Sequence, residues 1–114
     1  MIKIYGIKNC DTMKKAFRWL DDNKIEYVFH DYKKDGLDES KAKAWIEQLG
    51  WETVINKRGT TWRKLEDDVK ISMDNEKAVA TIVNQTSMIK RPLIEVSDQL
   101  ILGFNTEDYS KHLI

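Results

Sequence analysis

A lone cysteine, a lone proline and the absence of any long apolar run limit what this chain of 114 residues can be. One cysteine, Cys10, forms no internal disulfide, so no disulfide framework holds the fold and a reducing compartment is expected. With no basic-then-apolar leader and no apolar stretch of spanning length, neither a secretory signal nor a transmembrane helix is expected, and a cytoplasmic location follows. An excess of one charge is also lacking. Nineteen Lys and Arg balance nineteen Asp and Glu, so no net field draws the chain to nucleic acid or an anionic membrane, and neither is expected as a partner. One cysteine and the separated His30 and His112 make no zinc site, so no metal is expected, and neither histidine marks itself as a partner for protease chemistry. Walker-type and dinucleotide glycine patterns are missing, and a C-x5-R phosphatase loop starting at Cys10 would need arginine where Ala16 stands.

What is present suits one soluble globular domain: 41% hydrophobic and 33% charged residues, in a chain long enough to bury a core without metal or disulfide support. The stretch Tyr5 to Met13 organises it. Ile2 to Tyr5 alternate as a strand does, Gly6 breaks the run, and Met13, Ala16, Phe17 and Leu20 then fall on one helical face. Cys10 is thereby placed at a helix N-terminus, where unpaired N–H groups and the helix dipole favour an anion and lower a thiol's pKa. Lys8 supplies a candidate positive charge. The competing reading is a small buried hydrophobe with no chemistry.

Further along, the pattern predicts a first helix over 11–23, a strand over 25–32, and a turn at Asp35-Gly36. A second helix follows, capped by Asp38 and closed by Gly50, with Ala42, Trp45, Ile46 and Leu49 as its stripe. Thr60 or Thr61 caps a short helix containing Trp62 and Leu65. A third helical segment covers 74–84, with Val79, Ile82 and Val83 inward. Leu93 to Val96 and Leu100 to Phe104 flank Ser97-Asp98-Gln99 as a hairpin, and Asn105 or Thr106 caps a last helix burying Tyr109 and Leu113. A βαβ half and a ββα half around one mixed sheet describe an α/β thioredoxin-like fold. The expectation is a single domain over 1–114 with a helical insertion at about 37–86.

Four segments carry a resemblance: Tyr5 to Thr12, Asn56 to Leu65, Ile89 to Leu93, and Leu102 to Phe104. In this order they resemble the arsenate-reductase-like (ArsC/Spx) family, and most of all its YffB branch. The resemblance implies a nucleophilic cysteine at Cys10, an arginine at Arg91 before a cis-proline at Pro92, and a second functional arginine in the turn holding Arg58. It implies too that the proline turn faces the cysteine and binds a thiol substrate through its backbone. Two departures bear on substrate. Family arsenate reductases hold the oxyanion with three arginines, whereas Gly103-Phe104-Asn105 offers none, and Arg58 lies two residues beyond the matching position, Asn56. Spx regulators sense oxidation through C-x-x-C, but Met13 stands where the second thiol would be.

The resulting expectation is a thiol/disulfide reductase with Cys10 as nucleophile and Arg91 as stabiliser of the thiolate or holder of a carboxylate. Lys8, Asn9, Thr12, Arg58 and Pro92 are expected to contact substrate. With one cysteine, release of a mixed disulfide needs an external thiol, so glutathione or another small thiol is the expected co-substrate, with no bound cofactor. A disulfide or oxidised thiol is the expected substrate and the chain is expected to act as a monomer. The alternatives are an Spx-like regulatory module docking on RNA polymerase and an arsenate reductase proper. Arg91 and Arg58 also admit a plain reading as solvated charges.

Overall fold

In a computed structural model that describes residues 2–114, the apolar alternation at the start of the chain forms β1, Ile2–Gly6. Cys10 stands at the N-cap position of α1, Asp11–Asp22, which buries Met13, Ala16 and Leu20 completely; Phe17 is half-buried beside them. The helix ends at Asn23, whose N–H donates to Trp19 O at 3.1 Å. Lys24 then turns the chain with φ +56, so that the Ile25 N–H closes on Leu20 O at 2.9 Å. Strand β2 is accordingly shorter than the predicted 25–32: it runs Tyr27–Asp31, and Tyr32 opens a one-turn helix α2, Tyr32–Asp35.

Two units divide the chain, one of residues 1–35 and 91–114, the other of residues 36–90. In the first, β3, Leu93–Val96, and β4, Gln99–Leu102, complete a four-stranded sheet in the order β2-β1-β3-β4. Strands β1 and β2 are parallel, and the other two pairings are antiparallel. This mixed α/β sheet, with a crossover helix between its parallel strands, is a thioredoxin-like arrangement. The predicted hairpin forms with a tighter turn than expected. Val96 pairs with Gln99, so only Ser97 and Asp98 lie in the turn, and Ser97 takes φ +52.

The sheet sorts its side chains by alternation. Ile2, Ile4, Ile94 and Ile101 join Met13, Ala16, Leu20 and Tyr109 in the core on one face. The last helix, α8, Thr106–Leu113, covers that face; Asn105 caps it by accepting from the Glu107 and Asp108 N–H groups at 2.9 and 3.1 Å. Tyr109 is wholly buried there, and its hydroxyl donates to Gly103 O at 2.8 Å. The other face carries Tyr5, His30 and Glu95, which matter below.

The second unit is helical. Helix α3, Glu39–Leu49, buries Ala42, Trp45 and Ile46 and ends at Gly50, whose φ of +83 suits glycine. Asp38 stands at its N-cap position, but its carboxylate accepts from the Ser40 hydroxyl instead of capping a backbone N–H. Helix α4, Trp51–Val54, follows at once, and α5, Thr60–Arg63, starts after Gly59, which takes the cap position expected of Thr60 or Thr61. Helix α6, Asp67–Ile71, lies where no element was predicted. Helix α7, Asn75–Asn84, packs on α3; Asp74 caps it from the Lys77 N–H at 2.8 Å. Ala78 and Ile82 are its buried residues, with Val79 and Val83 half-buried. Among the described residues no helix is long and apolar enough to cross a membrane.

Gly6 ties this framework to the cysteine loop. A methyl group on Gly6 would lie 2.6 Å from Met13 Cε, and Met13 is locked in the core. Overpacking of this kind costs about 1–3 kcal/mol. Gly6→Ala is therefore expected to lower the guanidinium unfolding midpoint with its slope unchanged, as measured by circular dichroism.

Candidate functional site

The N-terminus of α1 sets the geometry of Cys10. Extended backbone at φ −139, ψ 127 puts the residue half outside the helix while its carbonyl already accepts from the Lys14 N–H at 3.0 Å. At such a position the N–H groups of the next two or three residues have no helical partner. The neutral thiol, a weak acceptor, makes no capping hydrogen bond. As a thiolate it is far better served.

Opposing effects act on that sulfur, which is free and half-buried. Burial, the largest single influence, pushes the thiol's pKa up. Against it stand the Met13 N–H, a hydrogen bond from the Arg91 side chain, the Thr12 N–H and the Arg91 charge, and together they hold the pKa below the usual thiol value. A helix terminus with an arginine beside it is the kind of electropositive, partly exposed setting that makes a cysteine reactive.

Arg91 arrives by sheet pairing. Tyr5 of β1 lies opposite Leu93 of β3, so the residues just ahead of Leu93 flank the chain as it leaves β1 toward Cys10. The Arg91–Pro92 peptide is cis, Pro92 is buried, and the Pro92 carbonyl accepts from the Gly103 N–H at 2.8 Å. Cys10, Thr12, Arg91 and Pro92 thus belong to one unit. Lys8 and Asn9 are exposed on the loop between β1 and α1, and the positive charge acting on the sulfur is that of Arg91. Arg58 belongs to the other unit. It is exposed in the turn after Asn56, whose side-chain oxygen accepts from the Arg58 N–H at 3.2 Å.

Met13 escaped the sequence reading as a functional residue, figuring only as core and as the missing second thiol. Its backbone N–H is the leading donor to the sulfur, a role signalled in principle by its place three residues after an N-cap. Tyr5 and Glu95 were also missed; the Tyr5 hydroxyl donates to Glu95 Oε1 at 2.7 Å.

Comparison with known proteins agrees with this architecture. A model of the ArsC family matches residues 5–112. An uncharacterized protein of Haemophilus influenzae is 46% identical over 109 residues, which is 96% of each chain. The solved structure of a YffB protein is 45% identical, is covered over 100% of both chains and superposes with a TM-score of 0.95. Global transcriptional regulator Spx 2 of Bacillus anthracis is 27% identical over 99% of this chain and 87% of its own.

Two outcomes follow from the balance at the sulfur. Arg91→Ala should raise the midpoint of the pH profile of iodoacetamide alkylation. It should slow alkylation about three- to tenfold below that midpoint, because charge-assisted hydrogen bonds contribute about 1.5–3 kcal/mol before solvent screening, and the more basic thiolate is the better nucleophile. Folding also lowers the Cys10 pKa, so its ionisation contributes stability that is full above the unfolded pKa and is lost as pH falls through the folded one. Cys10→Ser should flatten that part of the stability curve, measured by guanidinium unfolding at a series of pH values.

Proposed function

Because the chain belongs to the ArsC family, we propose that it is a thiol oxidoreductase in which Cys10 reduces a disulfide or oxidised thiol and glutathione restores it. The observation that carries this reading is the free, half-buried thiol whose ionisation is favoured by two helix N–H groups and Arg91. Reactive cysteines sit in electropositive, partly exposed settings of this kind, whereas structural ones are buried and inert.

In the proposed cycle the Cys10 thiolate attacks one sulfur of a disulfide; that S–S bond breaks, a mixed disulfide forms, and the departing thiolate takes a proton from solvent. Where the group left on Cys10 is glutathionyl, a second glutathione thiolate attacks its sulfur. Glutathione disulfide departs and Cys10 leaves as the thiolate it began as. The net change is a two-electron reduction of the substrate against oxidation of two glutathionyl units to one disulfide. The donors that lower the Cys10 pKa make it a nucleophile in the first step and a leaving group in the second. A single cysteine leaves the second step to an external thiol. In this reading Lys8, Asn9, Thr12 and Pro92 contact the bound thiol, Arg91 holds the thiolate, and Arg58 contributes charge.

Similarity to an Spx regulator over nearly the whole chain favours one second reading, a regulatory module whose role is docking. Met13 in place of a second thiol denies it an internal disulfide switch. Arsenate as substrate is the weaker idea, since Gly103-Phe104-Asn105 supplies no arginine for the oxyanion.

Turnover of bis(2-hydroxyethyl) disulfide with reduced glutathione, followed as glutathione disulfide, tests the proposal. Wild type should turn over steadily, Arg91→Ala about tenfold more slowly, as expected for loss of about 1.4 kcal/mol, and Cys10→Ser not above background. A wild-type rate equal to that of Cys10→Ser would leave only the regulatory reading.

A further inference from the structure

Beyond the sulfur, α1 turns a charged and aromatic side outward. Met13, Ala16 and Leu20 face the core, so Lys15, Arg18 and Asp22, spaced i, i+3 and i+7, run along the opposite side, where all three are exposed. Lys14 lies beside them and Asp11 ahead of them, both exposed as well; Asp21 lies with Tyr27 instead. Three cations thus stand between two flanking carboxylates, in a chain whose net charge is zero. Among the described residues, Lys14, Lys15 and Arg18 form no ion pair.

The surface beside these cations is hollow. Lys15 and Arg18 border a cleft of about 210 Å³ together with Trp19, Asp22 and Phe104. Trp19 and Phe104 are half-buried, and each meets the wholly buried Tyr109 ring edge-on at 5.3 Å between centroids. The Tyr109 hydroxyl is tied to Gly103 O at 2.8 Å, so one core residue sets both aromatic walls and the backbone next to one of them. Such a cleft has room for one apolar side chain, and the cations at its rim suit carboxylates on either side of it.

Cleft and sulfur lie on one helix. Arg18 comes eight residues after Cys10, about 12 Å along the axis at roughly 1.5 Å per residue, and an extended chain covers that distance in about four residues. A polypeptide that presents a disulfide to Cys10 can therefore reach Lys15, Arg18 and the aromatic walls with the residues that flank it.

We propose that this side of α1 selects the substrate: an acidic polypeptide carrying the disulfide, with carboxylates at Lys15 and Arg18 and one apolar side chain between Trp19 and Phe104. The inference rests on the thiol oxidoreductase reading and names its substrate class. For a glutathionylated peptide, the Cys10 thiolate attacks the glutathionyl sulfur, and the peptide thiolate departs and takes a proton from solvent. A glutathione thiolate then attacks the sulfur left on Cys10, releasing glutathione disulfide and the Cys10 thiolate. Peptide mixed disulfide and one glutathione become peptide thiol and glutathione disulfide. Lys15 and Arg18 act before the chemistry, on encounter and binding.

Three peptides test this, each with a glutathionylated cysteine flanked on both sides, beyond three glycines, by Glu-Leu-Glu, Lys-Leu-Lys or Glu-Ser-Glu. With glutathione disulfide as the readout, wild-type kcat/KM should be about fivefold higher for Glu-Leu-Glu than for Lys-Leu-Lys, as two exposed charge pairs allow. It should be about threefold higher than for Glu-Ser-Glu, a part of what full burial of a leucine gives. The preference for Glu-Leu-Glu over Lys-Leu-Lys should vanish or invert in Lys15→Glu/Arg18→Glu. It should persist in Lys43→Glu/Lys64→Glu, the same charge change on exposed residues of the other unit. A change in the thiol itself alters both rates alike and leaves the ratio as it was. A Glu-Leu-Glu rate no higher than that of either other peptide, or an equal loss of preference in both double variants, overturns the inference. The thiol reading then stands as long as wild type still turns over bis(2-hydroxyethyl) disulfide. No turnover of that small disulfide by wild type overturns both.

Discussion

Antiparallel pairing of β1 with β3 is the constraint on which the site depends. Tyr5 opposite Leu93 brings the segment holding Arg91 and Pro92 alongside the exit of β1, and the chain leaving β1 reaches Cys10 within a few residues. Neither half works alone. A cysteine at a helix N-terminus has donors but no full counter-charge, and an arginine ahead of a strand has charge but no anion. The hydrogen bond from Tyr5 to Glu95, between residues 90 apart in sequence, crosses the same pair of strands on the same face.

The chemistry then turns on a contest within one side chain's surroundings. Partial burial is the largest single influence on the charged sulfur, yet two backbone donors and a guanidinium together outweigh it. Small displacements of α1 therefore matter, because both backbone donors move with its first turn. Met13 anchors that turn by burying its side chain under Gly6 while aiming its N–H at the sulfur. Core packing and thiol ionisation meet in one residue.

What could be read from the sequence was whatever local chemistry decides. The α1 stripe, the Gly50 terminus and the Asn105 cap appear as the residues dictate, because periodicity and capping act within a few positions. Strand limits did not follow from composition. Ile25 looks like a strand residue but is tied to the end of α1, and β2 spans Tyr27–Asp31, in register with Ile2–Gly6 of β1. One-turn helices such as α4 and α6 are too short for a period to show. At the site, Cys10 and Arg91 were legible through motif. The Met13 N–H was not, since a backbone direction leaves no mark on residue type.

The central claim is that folding makes Cys10 more acidic despite burying it. Ultraviolet absorbance of the thiolate, titrated against pH in the native chain and in the same chain unfolded by denaturant, measures this directly because no other thiol contributes. The native midpoint should lie below the unfolded one. A native midpoint at or above it would mean that burial wins, and Cys10 would be a core residue without chemistry.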